Sequence, residues 1–293
     1  MENTLFKKTL IPVFIIAATA VTSTFSALAK TIRLTPDNVD AVVAAMTPED
    51  KANLIVGMAR DMSDELRADV GYTYHIVPGV AGTTCPITYM GVTPLVLADG
   101  PAGIRMDSRR KGDSKDYFCT RVPMGTLLSS TWNDSIVAAF GSIIGEECRD
   151  YGIDILLGPG MNIMRNPLCG RNFEYYSEDP LLSGKMAAAF TNGVQSHGVG
   201  VSLKHFAANN QEINRLANDS RVSQRALREL YLRNFEIAIR ESEPWSVMSA
   251  YNYVNGEYAS QSKTLLTDIL RREWGFEGVV MSDWGAGISA VDM

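Results

Sequence analysis

The segment 278–285 joins a short apolar run to a carboxylate. Residues 279–281 read Val-Val-Met, which is typical of a buried strand, and Asp283 and Trp284 follow them closely. In parallel α/β folds the carboxyl ends of the strands open into the site, so a carboxylate there faces the bound ligand. We therefore take Asp283 as the candidate catalytic group. The alternative is an Asp that caps the next helix.

Polar side chains also end other apolar runs. They are Asp99, Lys204 with His205, and Tyr251, with arginines close by at Arg105, Arg171 and Arg215. Carboxylate, ammonium, guanidinium and imidazole groups together satisfy the many donors and acceptors of a neutral polyol. A sugar ring fits this set, and Trp284 offers an apolar face for its C–H side.

The reaction that these groups suggest is cleavage of a glycosidic bond. An ionised Asp283 could attack the anomeric carbon and form a covalent glycosyl-enzyme. We expect Lys204 and Arg171 to keep that carboxylate ionised. A retaining enzyme also needs a second carboxyl group as acid/base, about 5–5.5 Å away.

Other chemistries have less support in the sequence. It contains no Gly-x-Gly-x-x-Gly, P-loop, Gly-x-Ser-x-Gly or His-Glu-x-x-His motif, and with only three histidines, His75, His197 and His205, a catalytic metal site has few ligands to draw on. We expect neither a metal nor another cofactor. Binding of a phosphosugar, and an aldolase-like Schiff base on Lys204, remain open alternatives.

The elements that would position these groups alternate along the chain. Strands are predicted at 95–98, 153–157, 200–203, 245–249 and 278–281, and helices at 47–58, 133–151, 180–197, 223–242 and 262–274. Strands separated by single helices imply a parallel sheet, either a (β/α)8 barrel or an open doubly wound sheet. Polar ends on four of five strands favour the barrel, in which all strand ends converge. Five strands predict a barrel that is incomplete at its C-terminus.

Composition limits the partners and indicates export. The 293 residues are 46% hydrophobic with a net charge of −6, which suits one large α/β domain and argues against nucleic acid. Residues 1–29 resemble a signal peptide: two lysines, an apolar run and Ala-Leu-Ala before Lys30. We expect residues 30–293 to be exported, periplasmic or secreted, without stable membrane insertion after cleavage. A retained anchor is the alternative.

The four cysteines lack metal-ligand spacing. A disulfide is permitted in an exported protein, and Cys85 with Cys119 is the pair to test first, because both lie in loop-like sequence. Cys148 lies in an amphipathic helix and is predicted to be a small buried residue.

Several motifs in order resemble glycoside hydrolase family 3, over roughly residues 47–290. They are Leu-Ala-Asp-Gly-Pro-Ala-Gly-Ile-Arg at 97–105, Gly-Pro-Gly-Met-Asn-Ile at 158–163, Gly-Arg-Asn-Phe-Glu at 170–174, Ser-Glu-Asp-Pro at 177–180, Lys-His-Phe from 204 through Arg215, Met-Ser-Ala-Tyr-Asn at 248–252 and Met-Ser-Asp-Trp-Gly at 281–285. The resemblance implies the N-terminal barrel domain of a β-glucosidase-like enzyme.

The resemblance also implies a role for each matching residue. Asp283 would be the nucleophile, Asp99 would bind the sugar hydroxyls remote from the anomeric carbon, and Arg105 would brace it. The residues lining the subsite of the cleaved sugar would be Arg171, Lys204, His205 and Arg215. Tyr251 would lie near the nucleophile, Met248 in the floor and Trp284 on the aglycone side.

Structural roles are the alternatives for some of these residues. Arg105 and Arg215 could be ion-pair partners, and Met248 and His205 could belong to the core. We interpret Glu174, Glu178 and Asp179 as structural, with carboxylates capping the helix that begins at Pro180.

The resemblance places the acid/base Glu of two-domain members in a second α/β domain after the barrel. The sequence Lys-His-Phe-Ala-Ala-Asn-Asn-Gln-Glu at 204–212 resembles the glucosidase type, so we expect the acid/base group to be missing from this truncated chain and the chain alone to hydrolyse little. The substrate expected is a small-molecule β-glycoside or an oligosaccharide with a terminal β-D-glucosyl residue. Xyloside or arabinoside specificity, or a carbohydrate-binding or vestigial barrel without activity, are the alternatives.

Overall fold

The computed structural model describes residues 32–59, 76–110 and 112–286. They form two compact units: a smaller one from 32–58 and 84–94, and a larger one from the remainder. The predicted signal peptide lies outside the described residues. Within the described residues, none of the helices combines the length and apolar character that crossing a bilayer requires.

The strands are short, as expected for elements of a barrel. They are β1 Met58–Ala59, β2 Gly82–Thr83, β3 Val96–Asp99, β4 Ile155–Leu157, β5 Gly200–Phe206, β6 Asp219–Ser220, β7 Ser246–Ser249, β8 Tyr253–Val254, β9 Glu257–Tyr258 and β10 Val279–Ser282.

The helices separate these strands. They are α1 Val39–Ala45, α2 Pro48–Val56, α3 Gly125–Ser129, α4 Asp134–Tyr151, α5 Pro180–Gln195, α6 Gln224–Ala226 and α7 Arg233–Ser242, with π-helical segments Leu227–Tyr231 and Lys263–Glu273 and 3-10 turns Thr88–Met90, Asn172–Glu174 and Ala259–Gln261.

The smaller unit contains α1, α2 and the turn Thr88–Met90. The predicted helix start is confirmed: the Thr47 hydroxyl accepts from the Asp50 amide, and the Asp50 carboxylate accepts from the Thr47 amide, which is a capping box. Its small core is formed by Val42, Met46, Ile87 and Met90.

The larger unit is a curled half-barrel of type (β/α)8, as the sequence predicts. Strands β3, β4, β5, β7 and β10 are neighbours in this order, and every pairing between them is parallel. β2 runs antiparallel beside β3, and β6, β8 and β9 form a separate small sheet. All five predicted strands are present, with ends within three residues of those predicted.

Helices α4, α5 and α7 cover the parallel strands and pack side by side. Glycines permit the close contact between α4 and α5: a Cβ on Gly145 would lie 2.6 Å from the Val194 carbonyl oxygen, and one on Gly193 would lie 2.1 Å from that of Ala138. Because the layer is this tight, the helices fix the strands whose ends form the site.

The prediction of a single α-helix at 223–242 is wrong. It divides into α6, a π-helical turn and α7, and the Leu232 amide bonds to the Leu227 carbonyl oxygen at 2.9 Å. The wider turn rotates α7, whose Asn234 is buried and donates to the Met161 carbonyl oxygen. The predicted helix at 262–274 is present in π form and is capped by Ser262.

The first disulfide candidate is not formed: Cys85 and Cys119 both carry free thiols. The two residues belong to different compact units, and the Cys85 sulfur contacts the carbonyl oxygen of the adjacent Pro86. Cys148 is fully buried, as predicted, and burial raises its pKa to about 12.

Candidate active site

A cavity of about 320 Å³ lies at the carboxyl ends of the parallel strands. The structure brings all the predicted site residues to its wall: Asp99, Arg105, Arg171, Lys204, His205, Arg215, Met248, Tyr251, Asp283 and Trp284. Gly79, Ala81 and Leu157, which the sequence did not indicate, complete the lining. The roles of these residues remain predictions.

One side of the cavity is formed by Asp99 at the end of β3. The Lys204 ammonium donates to Asp99 Oδ1 at 2.9 Å, and Arg105 lies 3.8 Å from Oδ2. The chain can turn back after Asp99 because Gly100 has no side chain. A Cβ at this position would lie only 1.8 Å from the Gly103 carbonyl oxygen. Gly103 has a φ of +124°, and a Cβ there would lie 2.5 Å from the Thr120 carbonyl oxygen. Glycine at both positions therefore lets Arg105 face Asp99, and the Arg105 amide bonds to the Asp99 carbonyl oxygen at 2.7 Å.

Lys204 and His205 are consecutive, yet both line the cavity. Alternate residues of a regular strand point to opposite faces, but the register of β5 against β7 shifts between Lys204 and Phe206. Asn162 holds the irregular strand: its side chain accepts from the His205 amide at 2.9 Å and donates to the His205 carbonyl oxygen at 2.8 Å. The bulge thus directs an ammonium and an imidazole into the same space.

His205 is neutral at neutral pH. Burial, followed by the charges of Arg171, Lys204 and Arg215, lowers the pKa of His205 well below its ordinary 6.5. Its Nδ1 lies 3.4 Å from the Tyr175 hydroxyl. His205 is therefore a polar wall group, and it adds no positive charge to the cavity.

The two inner arginines are each held by a glutamate three positions away. Arg171 Nε bonds to the Glu174 carboxylate, and Arg215 lies 2.9 Å from Glu212 Oε2. Burial acts to lower the pKa of Arg171, but Tyr175 and Glu174 raise it by more, so the guanidinium stays charged. These glutamates orient both arginines towards the cavity.

Asp283 lies just beyond β10 and is largely buried. Its amide bonds to the Ser249 carbonyl oxygen at 3.2 Å, and its Oδ1 accepts from the Trp284 amide at 2.8 Å. Burial raises the pKa of Asp283. The Trp284 amide, Lys204, Arg171 and Tyr251 offset only part of this effect. We expected the cations to dominate; they act in the expected direction, but burial outweighs them.

Tyr251, Trp284 and Met248 form the remaining wall and floor. The Tyr251 hydroxyl donates to the Trp284 carbonyl oxygen at 2.8 Å. The Arg215 guanidinium lies 4.5 Å from the centre of the Tyr251 ring. The Trp284 indole donates to the Ala81 carbonyl oxygen at 3.1 Å. Met248 is 1% exposed and packs with Leu157, so it is both a core residue and part of the floor.

Sequence reasoning missed the residues behind the lining. Glu174 was interpreted only as structural, whereas it holds Arg171 in the lining; the predicted cap of α5 is confirmed at Asp179. An arginine and a glutamate three positions apart were the available signal, which applies to Glu212 as well. Asn162 and Tyr175 gave no comparable signal.

Charges around the cavity are balanced. Four cationic side chains line it, with two carboxylates in the lining and two directly behind, on Glu174 and Glu212. Such a site suits a neutral ligand with many hydroxyls better than a phosphate. Among the described residues, no cluster of three or more His, Cys, Asp or Glu side chains could hold a metal ion.

The sequence model of the glycosyl hydrolase family 3 N terminal domain matches residues 104–293. The chain belongs to this family. Similar family members include thermostable beta-glucosidase B of Acetivibrio thermocellus, 42% identical over 85% of this chain and 31% of that protein. An exo-alpha-(1->6)-L-arabinopyranosidase of Bifidobacterium breve is 49% identical over 67% of this chain and 26% of that protein.

Solved structures of family 3 members agree with this assignment. Beta-glucosidase 3B of Thermotoga neapolitana, in complex with alpha-D-glucose, superposes with a TM-score of 0.80 and 51% identity over 87% of this chain and 35% of that one. The chain thus spans about a quarter to a third of the length of these family 3 relatives.

Proposed function

We propose that this chain carries the nucleophile and the sugar-binding subsite of a retaining glycosidase that removes terminal β-D-glucosyl residues. The observation that carries the proposal is the position of Asp283. Its carboxylate lines the cavity 3.7 Å from His205 Nε2, in the same wall as the Lys204–Asp99 pair. Beta-glucosidases among the relatives support the choice of glucose.

In the first step, Asp283 attacks the anomeric carbon as the bond to the leaving oxygen breaks, giving a covalent glycosyl-enzyme. A water molecule then attacks the same carbon, which releases the sugar and restores the carboxylate. The balanced polar wall would bind the ring hydroxyls throughout. Lys204 would donate and Asp99 would accept.

A second carboxyl group must protonate the leaving oxygen. Among the described lining residues the only other carboxylate is Asp99, which is already bonded to Lys204 and faces Arg105. Glu174 and Glu212 are held by arginines. We therefore propose that the acid/base group comes from outside the described residues, and that the chain alone turns over aryl β-glucosides slowly or not at all.

The nucleophile can be tested without the acid/base group. A 2-deoxy-2-fluoro-β-glucoside with a dinitrophenolate leaving group needs no proton to depart, and the fluorine slows hydrolysis of the glycosyl-enzyme. We expect the purified chain to acquire one fluoroglucosyl group, and peptide mass spectrometry to locate it on Asp283.

Two variants complete this test. Asp283→Asn should remain unlabelled, whereas Asp116→Asn, at an exposed carboxylate paired with Arg109, should label normally. Labelling on another carboxylate, or equal labelling of Asp283→Asn, would refute the assignment. If glucose binds with no labelling at all, the carbohydrate-binding alternative is favoured.

A second specificity is suggested by the arabinopyranosidases among the relatives, at 49% and 48% identity. An α-L-arabinopyranoside lacks the exocyclic CH2OH group and has an axial O4. Comparing the labelling rates of the glucosyl and arabinopyranosyl reagents measures which sugar the wall prefers. If the arabinopyranosyl reagent labels the chain faster, the proposed activity becomes α-L-arabinopyranosidase instead of β-glucosidase.

We further propose that the protein is exported. The support is the sequence of residues 1–29 alone. N-terminal sequencing of the protein recovered from its native host should begin at Lys30; a start at Met1 would contradict export by signal cleavage.

A further inference from the structure

The segment 118–120 is fastened to the last turns of α4 at two points. At one point the Tyr151 hydroxyl donates to the Phe118 carbonyl oxygen at 2.5 Å. At the other, the Thr120 amide lies 3.0 and 2.9 Å from the two carboxylate oxygens of Glu147, and the Thr120 hydroxyl lies 2.5 Å from one of them. The segment therefore runs antiparallel to the helix and lies directly on it.

Both the segment and the helix carry a cysteine between the two fastening points. Cys119 stands between the two bonded residues of the segment, and Cys148 stands between the two bonded residues of the helix. Cys119 is half-buried and packs against the hydrophobic core that contains Cys148, which is 0% exposed. Because the bonds at 118 and 120 hold the segment on the helix at 151 and 147, Cys119 is held beside the turn of α4 that carries Cys148.

We propose that Cys119 and Cys148 form a disulfide on contact with a small-molecule disulfide such as oxidised glutathione. The Cys119 thiolate attacks one glutathione sulfur, forming a mixed disulfide and releasing one glutathione thiolate. Cys148 then loses its proton to solvent base and attacks the Cys119 sulfur, releasing the second glutathione. Two protein thiols are oxidised and one glutathione disulfide is reduced.

Accessibility sets the order of these steps. Cys119 is partly exposed and can meet the reagent, whereas Cys148 is enclosed and can react only with a sulfur that is already beside it. Burial raises the pKa of both thiols, and the Glu147 carboxylate adds to the effect on each. We therefore expect both steps to accelerate as the pH rises, and the step at the more buried Cys148 to be the slower one.

The bond would stabilise a region next to the candidate active site. The Val122 amide bonds to the Ala102 carbonyl oxygen at 3.1 Å, and the Thr120 carbonyl oxygen packs against Gly103. Ala102 and Gly103 belong to the turn that directs Arg105 towards Asp99. The disulfide would fix this turn to α4, and the proposal is independent of the glycosidase function.

The test begins with the fully reduced chain. It is incubated with oxidised glutathione at mildly alkaline pH, the remaining thiols are alkylated, and the protein is digested without reductant. We expect one crosslinked peptide pair containing Cys119 and Cys148, with Cys85 and Cys169 alkylated. The melting temperature should rise by about 5 °C and return on reduction.

Matched variants separate this pair from the other cysteines. Cys85→Ser and Cys169→Ser should keep the crosslink, while Cys119→Ser should lose both the crosslink and the gain in melting temperature. The proposal is overturned if Cys119 retains glutathione while Cys148 is recovered as a thiol, or if Cys119 is found joined to Cys85. Both outcomes are read from the unaltered chain, so they do not depend on a variant that folds poorly.

Discussion

His205 Nε2 lies 3.7 Å from Asp283 Oδ2, and both side chains are largely buried. Because the pKa of His205 is lowered, the imidazole is neutral and does not form an ion pair with the carboxylate. Asp283 is therefore stabilised as an anion by one amide, the Tyr251 hydroxyl and more distant cations, and these are too weak to offset its burial. The predictions on Asp283 below depend on this relationship.

The rate of labelling by the fluoroglucoside should fall as the pH is lowered. Attack requires the carboxylate, and the pKa of Asp283 is raised, so the midpoint should lie above the ordinary value of 3.8. Tyr251→Phe removes a hydroxyl that acts to lower the pKa of Asp283 and should move the midpoint further up. The measurement is the labelling rate against pH by intact mass; a midpoint below 3.8 would contradict the account.

Asp283→Asn should raise the melting temperature at neutral pH. The pKa of Asp283 is higher in the folded protein than in the unfolded chain. Between these two values the folded protein binds more protons than the unfolded chain. Above both values the buried, ionised carboxylate opposes folding. Asn removes the charge and can still accept from the Trp284 amide. The gain should disappear at acidic pH, where Asp283 is protonated. Asp116→Asn is the control, and a lower melting temperature at neutral pH would disprove the idea.

Glu212→Gln should weaken glucose binding by roughly threefold to tenfold, because Arg215 loses the charge that orients it over Tyr251. Glu236→Gln is the control away from the cavity: Glu236, on α7, pairs with Arg233 at 2.9 Å and three positions away, and also with Arg240 at 3.1 Å. Calorimetric titration with glucose measures both. Equal effects of the two substitutions would show that the pair near the cavity has no special role.

Lys204→Met should change the free energy of unfolding by less than about 1 kcal/mol but weaken glucose binding by at least about tenfold. Removing a buried ammonium relieves its desolvation, and Asp99, 35% exposed, can hydrate through the cavity. Arg105→Met should change binding only about twofold, because Arg105 is 67% exposed and 3.8 Å from Asp99. Urea unfolding and glucose titration separate the two effects. A large loss of stability with intact binding would assign Lys204 a structural role instead.

Much of the fold could be predicted because each element carries its own signal. The apolar runs before Asp99, Lys204 and Asp283 lie in parallel strands, and the Thr47 and Ser262 caps are where the sequence places them. The helix at 223–242 was misjudged because an inserted π turn leaves the apolar spacing nearly unchanged while it rotates everything after it.

The sequence by itself determined most of the side chains that reach the cavity. Asp99, Lys204 and Asp283 follow from their places at the carboxyl ends of parallel strands, which converge whatever connects them, and the arginines follow from the family motifs. Only the tertiary structure decided how they meet. The bulge in β5 turns Lys204 and His205 the same way, and burial outweighs the cations around Asp283. These outcomes depend on distances and solvent exclusion between residues remote in sequence, which no local pattern encodes.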